Sequence, residues 1–183
     1  MRLFVGVPLP QSVRDKLSGL NAGLAGARWV DGENLHITLG FIGNVDNQQA
    51  LDIDDALSDI RFQSFELGLA GLGCFESRRK VRALWAGVGE SEPLKRLKAK
   101  VDKALDGLGI DFERRKFKPH VTMARFRNVP AKKIVPYLET HNGFTSASFP
   151  VNHFTLFRSH LSHSGARYEA LARYRLDEKQ DAN

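Results

Sequence analysis

The chain of 183 residues has one cysteine, two methionines and two tryptophans. A lone Cys74 cannot close an intramolecular disulfide, and its apolar neighbours favour a buried structural thiol over a nucleophile. No apolar run approaches the length that crosses a bilayer. The stretch 1–7 is too short for a signal segment before it reaches Pro8-Leu9-Pro10. A reducing, cytoplasmic setting without a membrane is therefore expected. Several chemical signatures are also missing. There is no glycine-rich loop ending in Lys-Ser/Thr to cradle a nucleotide, and no nucleophile elbow for a serine triad. His160 and His163 lie three apart with no third ligand nearby, so they read as solvated loop residues rather than a zinc site. No Gly/Ser linker or low-complexity stretch divides the chain. One domain over 1–176 with a polar tail at 177–183 is expected.

Positive charge is present in excess. The formal net charge is +6, and the sequence pI is about 9.6. Such a surface suits a polyanionic partner, although many soluble proteins are mildly basic. Alternation and turn residues predict strands at 3–7, 28–30, 34–42, 65–75, 81–88, 120–126, 149–157 and 167–176. Helical spacing predicts helices at 11–24, 47–60, 91–108 and 130–139. The third carries Leu94, Leu97, Val101, Ala104, Leu105 and Leu108 on one face. The order is β-α-β-β-α-β followed by β-α-β-α-β-β. Each half is too thin for its own core, so the expected fold is α+β, with two packed lobes and mainly antiparallel sheets.

The strongest chemical signal is a repeat. Leu35-His36-Ile37-Thr38-Leu39 in one half matches Pro119-His120-Val121-Thr122-Met123 in the other. About 0.2 His-x-Thr triplets are expected by chance in such a chain, so two in matching strand contexts are unusual. On a strand, alternation places each His and Thr on one face and buries the apolar pair behind them. In-line cleavage of a phosphodiester needs a base on the attacking water and an acid on the departing oxygen. Histidine, with an ordinary pKa of about 6.5, suits both roles. Threonine hydroxyls can donate to the non-bridging oxygens. The blander alternative is two unrelated half-buried histidines bonded to threonines.

These tetrads, with Arg2-Leu3-Phe4-Val5, Phe41-Ile42-Gly43, Phe117-Lys118, Ala124-Arg125 and Phe154-Thr155-Leu156-Phe157-Arg158-Ser159, resemble the two-histidine (2H) phosphoesterases. Within them the pattern is similar to the bacterial and archaeal RNA 2′,3′-cyclic phosphodiesterase, or 2′-5′ RNA ligase, family. The resemblance runs from Arg2 to about Leu176. It implies a bilobal fold with pseudo-twofold lobes around a central cleft, helices outside, and neither metal nor nucleotide cofactor. It implies hydrolysis of an RNA 2′,3′-cyclic phosphate to a 2′-phosphomonoester, and in reverse an ATP-independent 2′-5′ ligation. By that pattern His36 is the proton donor and His120 the proton acceptor, with Thr38 and Thr122 holding the phosphate. The motif itself leaves the direction of proton flow open.

The resemblance also implies a phosphate contact for Arg125, yet strict alternation puts Arg125 on the face opposite His120. A phosphate role needs a bulge or a strand end near Ala124. Phe4, Phe157 and Tyr168 are candidates to stack on the terminal base, with core packing the alternative for each. The basic run 114–118 leads into His120 and is a candidate to track an RNA backbone. The expected partner is an RNA with a 2′,3′-cyclic end or a cyclic nucleotide, and the expected state is a monomer. A competing class is a binding module that holds RNA ends without turning them over.

Overall fold

The computed structural model describes residues 1–162 and 165–178, so His163 lies outside the described residues. Ten strands and four α-helices follow one another in the order β1 (Arg2–Pro8), α1 (Gln11–Ser18), β2 (Arg28–Trp29), β3 (His36–Asn44), α2 (Asn47–Ser58), β4 (Phe65–Leu67), β5 (Leu69–Ser77), β6 (Lys80–Val88), α3 (Glu92–Gly107), β7 (His120–Pro130), α4 (Val135–Thr140), β8 (Phe149–Val151), β9 (His153–Ser162) and β10 (Gly165–Arg175). Single 3-10 turns at Gly32–Asn34 and Ala131–Lys133 precede β3 and α4.

Eight strands form one antiparallel sheet in the order β10-β9-β1-β3-β7-β6-β5, with β2 pairing on β7. Seven register pairs tie β1 to β3, whereas β3 and β7 meet at the single pair Ile37↔Val121. The expected α+β architecture is thus realised with the two lobe sheets continuous through one contact. That contact lies between the second residues of the two His-x-Thr triplets. The apolar residues of the tetrads, Ile37, Leu39, Val121 and Met123, are all buried.

The helices cover the sheet in pairs that the chain order does not announce. α3 follows the β5–β6 hairpin yet packs on β3, where its Val101 and Leu105 approach Gly40. Its buried face is Leu94, Leu97, Val101 and Leu105; of the other two residues on the predicted face, Ala104 is half-buried and Leu108, past the helix end, is 37% exposed. α2 lies against α3 and β10. Its core residues are Ala50, Ile53 and Leu57, while Leu51 is 60% exposed. An Asp46–Gln49 capping box starts α2, each side chain accepting from the other's backbone N–H. On the other side α1 meets the α4 region, where the Tyr137 hydroxyl donates to Leu20 O at 2.8 Å.

Several boundaries differ from the sequence reading. The first helix stops at Ser18 rather than Leu24, because Gly19 weakens helix propagation there and its N–H already turns back to Asp15 O and Leu17 O. The strand predicted over 65–75 divides at Gly68, and the one over 149–157 at Asn152. The detached pieces, β4 and β8, pair with each other in a separate two-stranded sheet. The fourth helix is shortened because β7 continues to Pro130 before the chain turns. Asp177, placed by sequence in the tail, donates its N–H to Phe62 O and accepts from Ser64 N, both at 2.8 Å. No helix among the described residues is long and apolar enough to cross a membrane.

Candidate active site

The two histidines open the two strands that meet at the centre of the sheet, β3 and β7. Each is anchored in the same way. His36 Nδ1 lies 2.7 Å from Asn34 O, and His120 Nδ1 lies 2.6 Å from Lys118 O. A carbonyl only accepts, so Nδ1 carries the proton in both rings, and the bare Nε2 is left for the cavity. The partner is the carbonyl two residues earlier in both cases. The repeat therefore extends to Asn34-Leu35-His36 and Lys118-Pro119-His120, where unlike side chains hide a shared backbone role.

His36 and His120, with Thr38, Thr122 and Arg125, line one cavity of about 290 Å³. The Thr38 hydroxyl donates to His36 Nε2 at 3.0 Å. Burial lowers the His36 pKa from the ordinary 6.5 to about 4, opposed by the Asn34 carbonyl and assisted by the positive charge of His120 and Arg125. His120 is lowered too, first by burial and then by Lys118 and Arg125, against the Lys118 carbonyl. Both rings are therefore neutral at pH 7 before any anion arrives.

Arg125 reaches this cavity by the bulge that its sequence position requires. Leu84 pairs with Ala124 and Trp85 with Thr122, so Met123 has no counterpart on β6. Met123 and Ala124 are consecutively buried, and the alternation resumes one residue late. β3 carries the same device. Val5 pairs with Gly40 and Gly6 with Thr38, leaving Leu39 as the extra residue. Both extra residues are the fourth of their tetrads. Each bulge returns the residue five places after the histidine, Arg125 or Phe41, to the cavity wall. Phe41 in turn supports a second guanidinium, with Arg2 lying 4.9 Å from its ring centre. Arg2 also lines the cavity, a site residue that the motif did not single out.

The aromatic candidates gather around His36. Phe4 lies 4.8 Å from the His36 ring, 5.0 Å from Phe157 in a stacked arrangement, and 4.9 Å from Tyr168 edge-on. Phe4 lines the cavity beside His36 yet is only 3% exposed, so little of its ring is open to a base. Phe157 packs in the same cluster behind the cavity lining. Tyr168 does line the cavity and meets His36 edge-on at 5.1 Å. Asn34 clamps this side by donating to Ala166 O at 2.8 Å and accepting from Tyr168 N at 3.3 Å. His120 has its own wall, with Phe75 edge-on at 4.9 Å and Trp85, over which Lys118 Nζ sits at 4.5 Å.

Other expectations fall away from the site. In the basic run, Arg114 pairs with Asp106 and Arg115 with Glu113 at the surface, while Lys118 holds the His120 ring through its carbonyl. His160 sits on β9, not in a loop, 2.7 Å from Glu169. Cys74 is half-buried, and burial together with Glu76 pushes its thiol pKa up, away from nucleophilic character. Among the described residues no group of three His, Cys, Asp or Glu side chains is placed to hold a metal ion.

Gly6 makes room for His36. A methyl group built there would lie 3.0 Å from Ile37 O and 3.3 Å from His36 Cδ2, so ring or strand must give by a few tenths of an ångström. A displaced ring loses alignment faster than affinity. Gly6→Ala is expected to lower kcat about tenfold with KM nearly unchanged. A variant with wild-type kcat would show that the close approach is incidental.

An α+β sheet that presents two strand-borne histidines across an arginine-walled cavity defines a class, the 2H phosphoesterases. The chain belongs to the LigT-like phosphoesterase family, whose model matches residues 7–85 and 88–168. It is 38% identical over 146 residues to the RNA 2′,3′-cyclic phosphodiesterase of Aeropyrum pernix, covering 78% of this chain and 82% of that one. It is 34% identical over 175 residues to the protein of the same name from Archaeoglobus fulgidus, covering 93% and 98%. Among solved structures, a Thermus thermophilus protein superposes with a TM-score of 0.82 at 27% identity, covering 98% of this chain and all of that one. The E. coli LigT complex with 3′-AMP superposes with a TM-score of 0.78 at 27% identity, covering 96% and 97%.

Proposed function

We propose that this phosphoesterase opens the 2′,3′-cyclic phosphate at an RNA end to a 2′-phosphomonoester, with His36 as acid and His120 as base. The observation that carries the reading is the matched anchoring of the two rings. Each Nδ1 is held by a backbone carbonyl, so both Nε2 atoms serve one cavity that also presents two threonines and two arginines. The names of the curated relatives and the 3′-AMP held by LigT support a nucleotide phosphate as the ligand.

In this scheme the anionic phosphodiester enters between Arg125, Thr38 and Thr122. Thr38 turns its hydroxyl from His36 Nε2 to a phosphate oxygen, and the nearby negative charge raises the His36 pKa so that Nε2 is protonated. His120 Nε2 takes a proton from water as the water oxygen attacks phosphorus. The P–O3′ bond breaks in line, and His36 delivers its proton to the 3′-oxygen. The products are a 2′-phosphomonoester and a 3′-hydroxyl, and solvent resets the two rings. Two features favour this direction. His36 is enclosed by Phe4, Phe157 and Tyr168, where a leaving group is shielded, whereas burial weighs less on His120, where water must arrive. A 5′-hydroxyl in place of the water attacks the same phosphorus in the same sense, losing its proton to His120 as the P–O3′ bond breaks, and yields a 2′-5′ linkage. Because the cavity is open to bulk water, hydrolysis dominates.

The test is product analysis of an RNA bearing a 2′,3′-cyclic end, with EDTA present. A 2′-phosphomonoester formed at an undiminished rate is the expected outcome. A 3′-phosphate would reverse the leaving group and refute the assignment of roles. Activity abolished by the chelator would refute metal independence.

A further inference from the structure

A second, larger cavity of about 540 Å³ adjoins the first and shares Val30, Asn34, Arg125, Ala166 and Tyr168 with it. Its own residues include Arg28 and Arg167. Arg28 and Arg125 are directly opposite each other in the β2–β7 register. Like charges facing across an antiparallel pair repel, and a strand pair keeps them at a cost unless an anion is shared between them. None of the three arginines has a salt-bridge partner among the described residues. Two carboxylates also line this cavity. Glu33 is already engaged by Arg14 at 2.9 Å, and Asp31 sits at the start of the 3-10 turn. The wall therefore keeps an excess of positive charge, one step along from the catalytic phosphate position and joined to it through Arg125.

We propose that this second cavity is a subsite for the internucleotide phosphodiester next to the cyclic end, held by Arg28 and Arg167 with Arg125 bridging the two phosphates. The inference rests on the catalytic reading above and narrows its substrate class. The preferred substrate is an RNA end of at least two nucleotides, and a cyclic mononucleotide fills only part of the site. Guanidinium forks match phosphate oxygens in pairs, and an anion between Arg28 and Arg125 removes their mutual repulsion. The remaining nucleotides lead out over the half-exposed side of β10, with Arg167 at its rim.

The experiment compares three substrates on the intact protein: 2′,3′-cyclic AMP, a dinucleotide with a 2′,3′-cyclic end, and the same dinucleotide with a neutral methylphosphonate linkage. The charged dinucleotide is expected to exceed the neutral one in kcat/KM by about tenfold, with the neutral one close to cyclic AMP. In the double variant Arg28→Ala/Arg167→Ala that ratio is expected to fall towards one. Because the key comparison changes the substrate, a folding defect cannot imitate it. Equal kcat/KM for charged and neutral dinucleotides, with both opened, would overturn the subsite and leave the catalytic reading standing. An undiminished ratio in the double variant would also overturn it. Failure to open any of the three would overturn both.

Discussion

Replacing His120 or His36 by alanine is expected to lower kcat for opening a cyclic phosphate end by about 10³-fold, within the 10²–10⁴-fold range of a positioned general acid or base. The loss should fall mainly on kcat, because Arg125 and the two threonines still bind the phosphate. The double variant should be little worse than either single one, since acid and base act in one proton transfer sequence. The carbonyls of Asn34 and Lys118 hold the rings from their outer nitrogens, so only Nε2 is offered to substrate. His36→Gln and His120→Gln keep polarity and much of the volume but cannot shuttle a proton near neutral pH. Activity within tenfold of wild type in both alanine variants, with unchanged circular dichroism, would remove the two-histidine mechanism.

Acid sensitivity should trace to His36. In the unfolded chain its pKa is about 6.5, and in the folded protein burial lowers it to about 4. Above pH 6.5 the ring is neutral in both states, and this contribution to stability is fully present. Between pH 6.5 and 4 the unfolded chain takes up a proton that the folded site refuses, so stability falls as pH falls. The total by pH 4 is about 3 kcal/mol, a large share of an ordinary margin of about 5–15 kcal/mol. His120 is lowered in the same direction. Urea unfolding at pH 7 and pH 4.5 should show a smaller loss in His36→Gln than in the wild type, and identical losses would refute this origin. The same shifts act on turnover. The kcat/KM profile, which reads the free enzyme, should be centred below pH 6.5. The kcat profile should lie at higher pH, because the bound phosphate restores proton affinity to His36.

The histidine and threonine residues were legible because alternation is a local rule. Two triplets in strand contexts reveal which side chains share a face, and the flanking segments point to the family. Helix α3 was legible for a similar reason, since Leu94, Leu97, Val101 and Leu105 keep helical spacing through the sixteen-residue helix. Arg125 shows where local reasoning stops. Whether a strand contains a bulge depends on how many residues the neighbouring strand sets against it, and Met123 is extra only relative to Leu84 and Trp85. The divisions at Gly68 and Asn152 have the same character. Both strands pass the test of alternation, and only the β4–β8 pairing shows that each serves two sheets.

By itself, then, the sequence determined the chemical groups, their placement on strands and the α+β class, all carried by residues within a few positions of one another. The tertiary structure alone decided that β3 and β7 meet at one pair, that two bulges bring Phe41 and Arg125 round to the histidine face, that Arg2 joins them there, and that Arg28 is set opposite Arg125. Periodicity along one strand contains no information about its neighbours, whereas register and charge proximity exist only between strands.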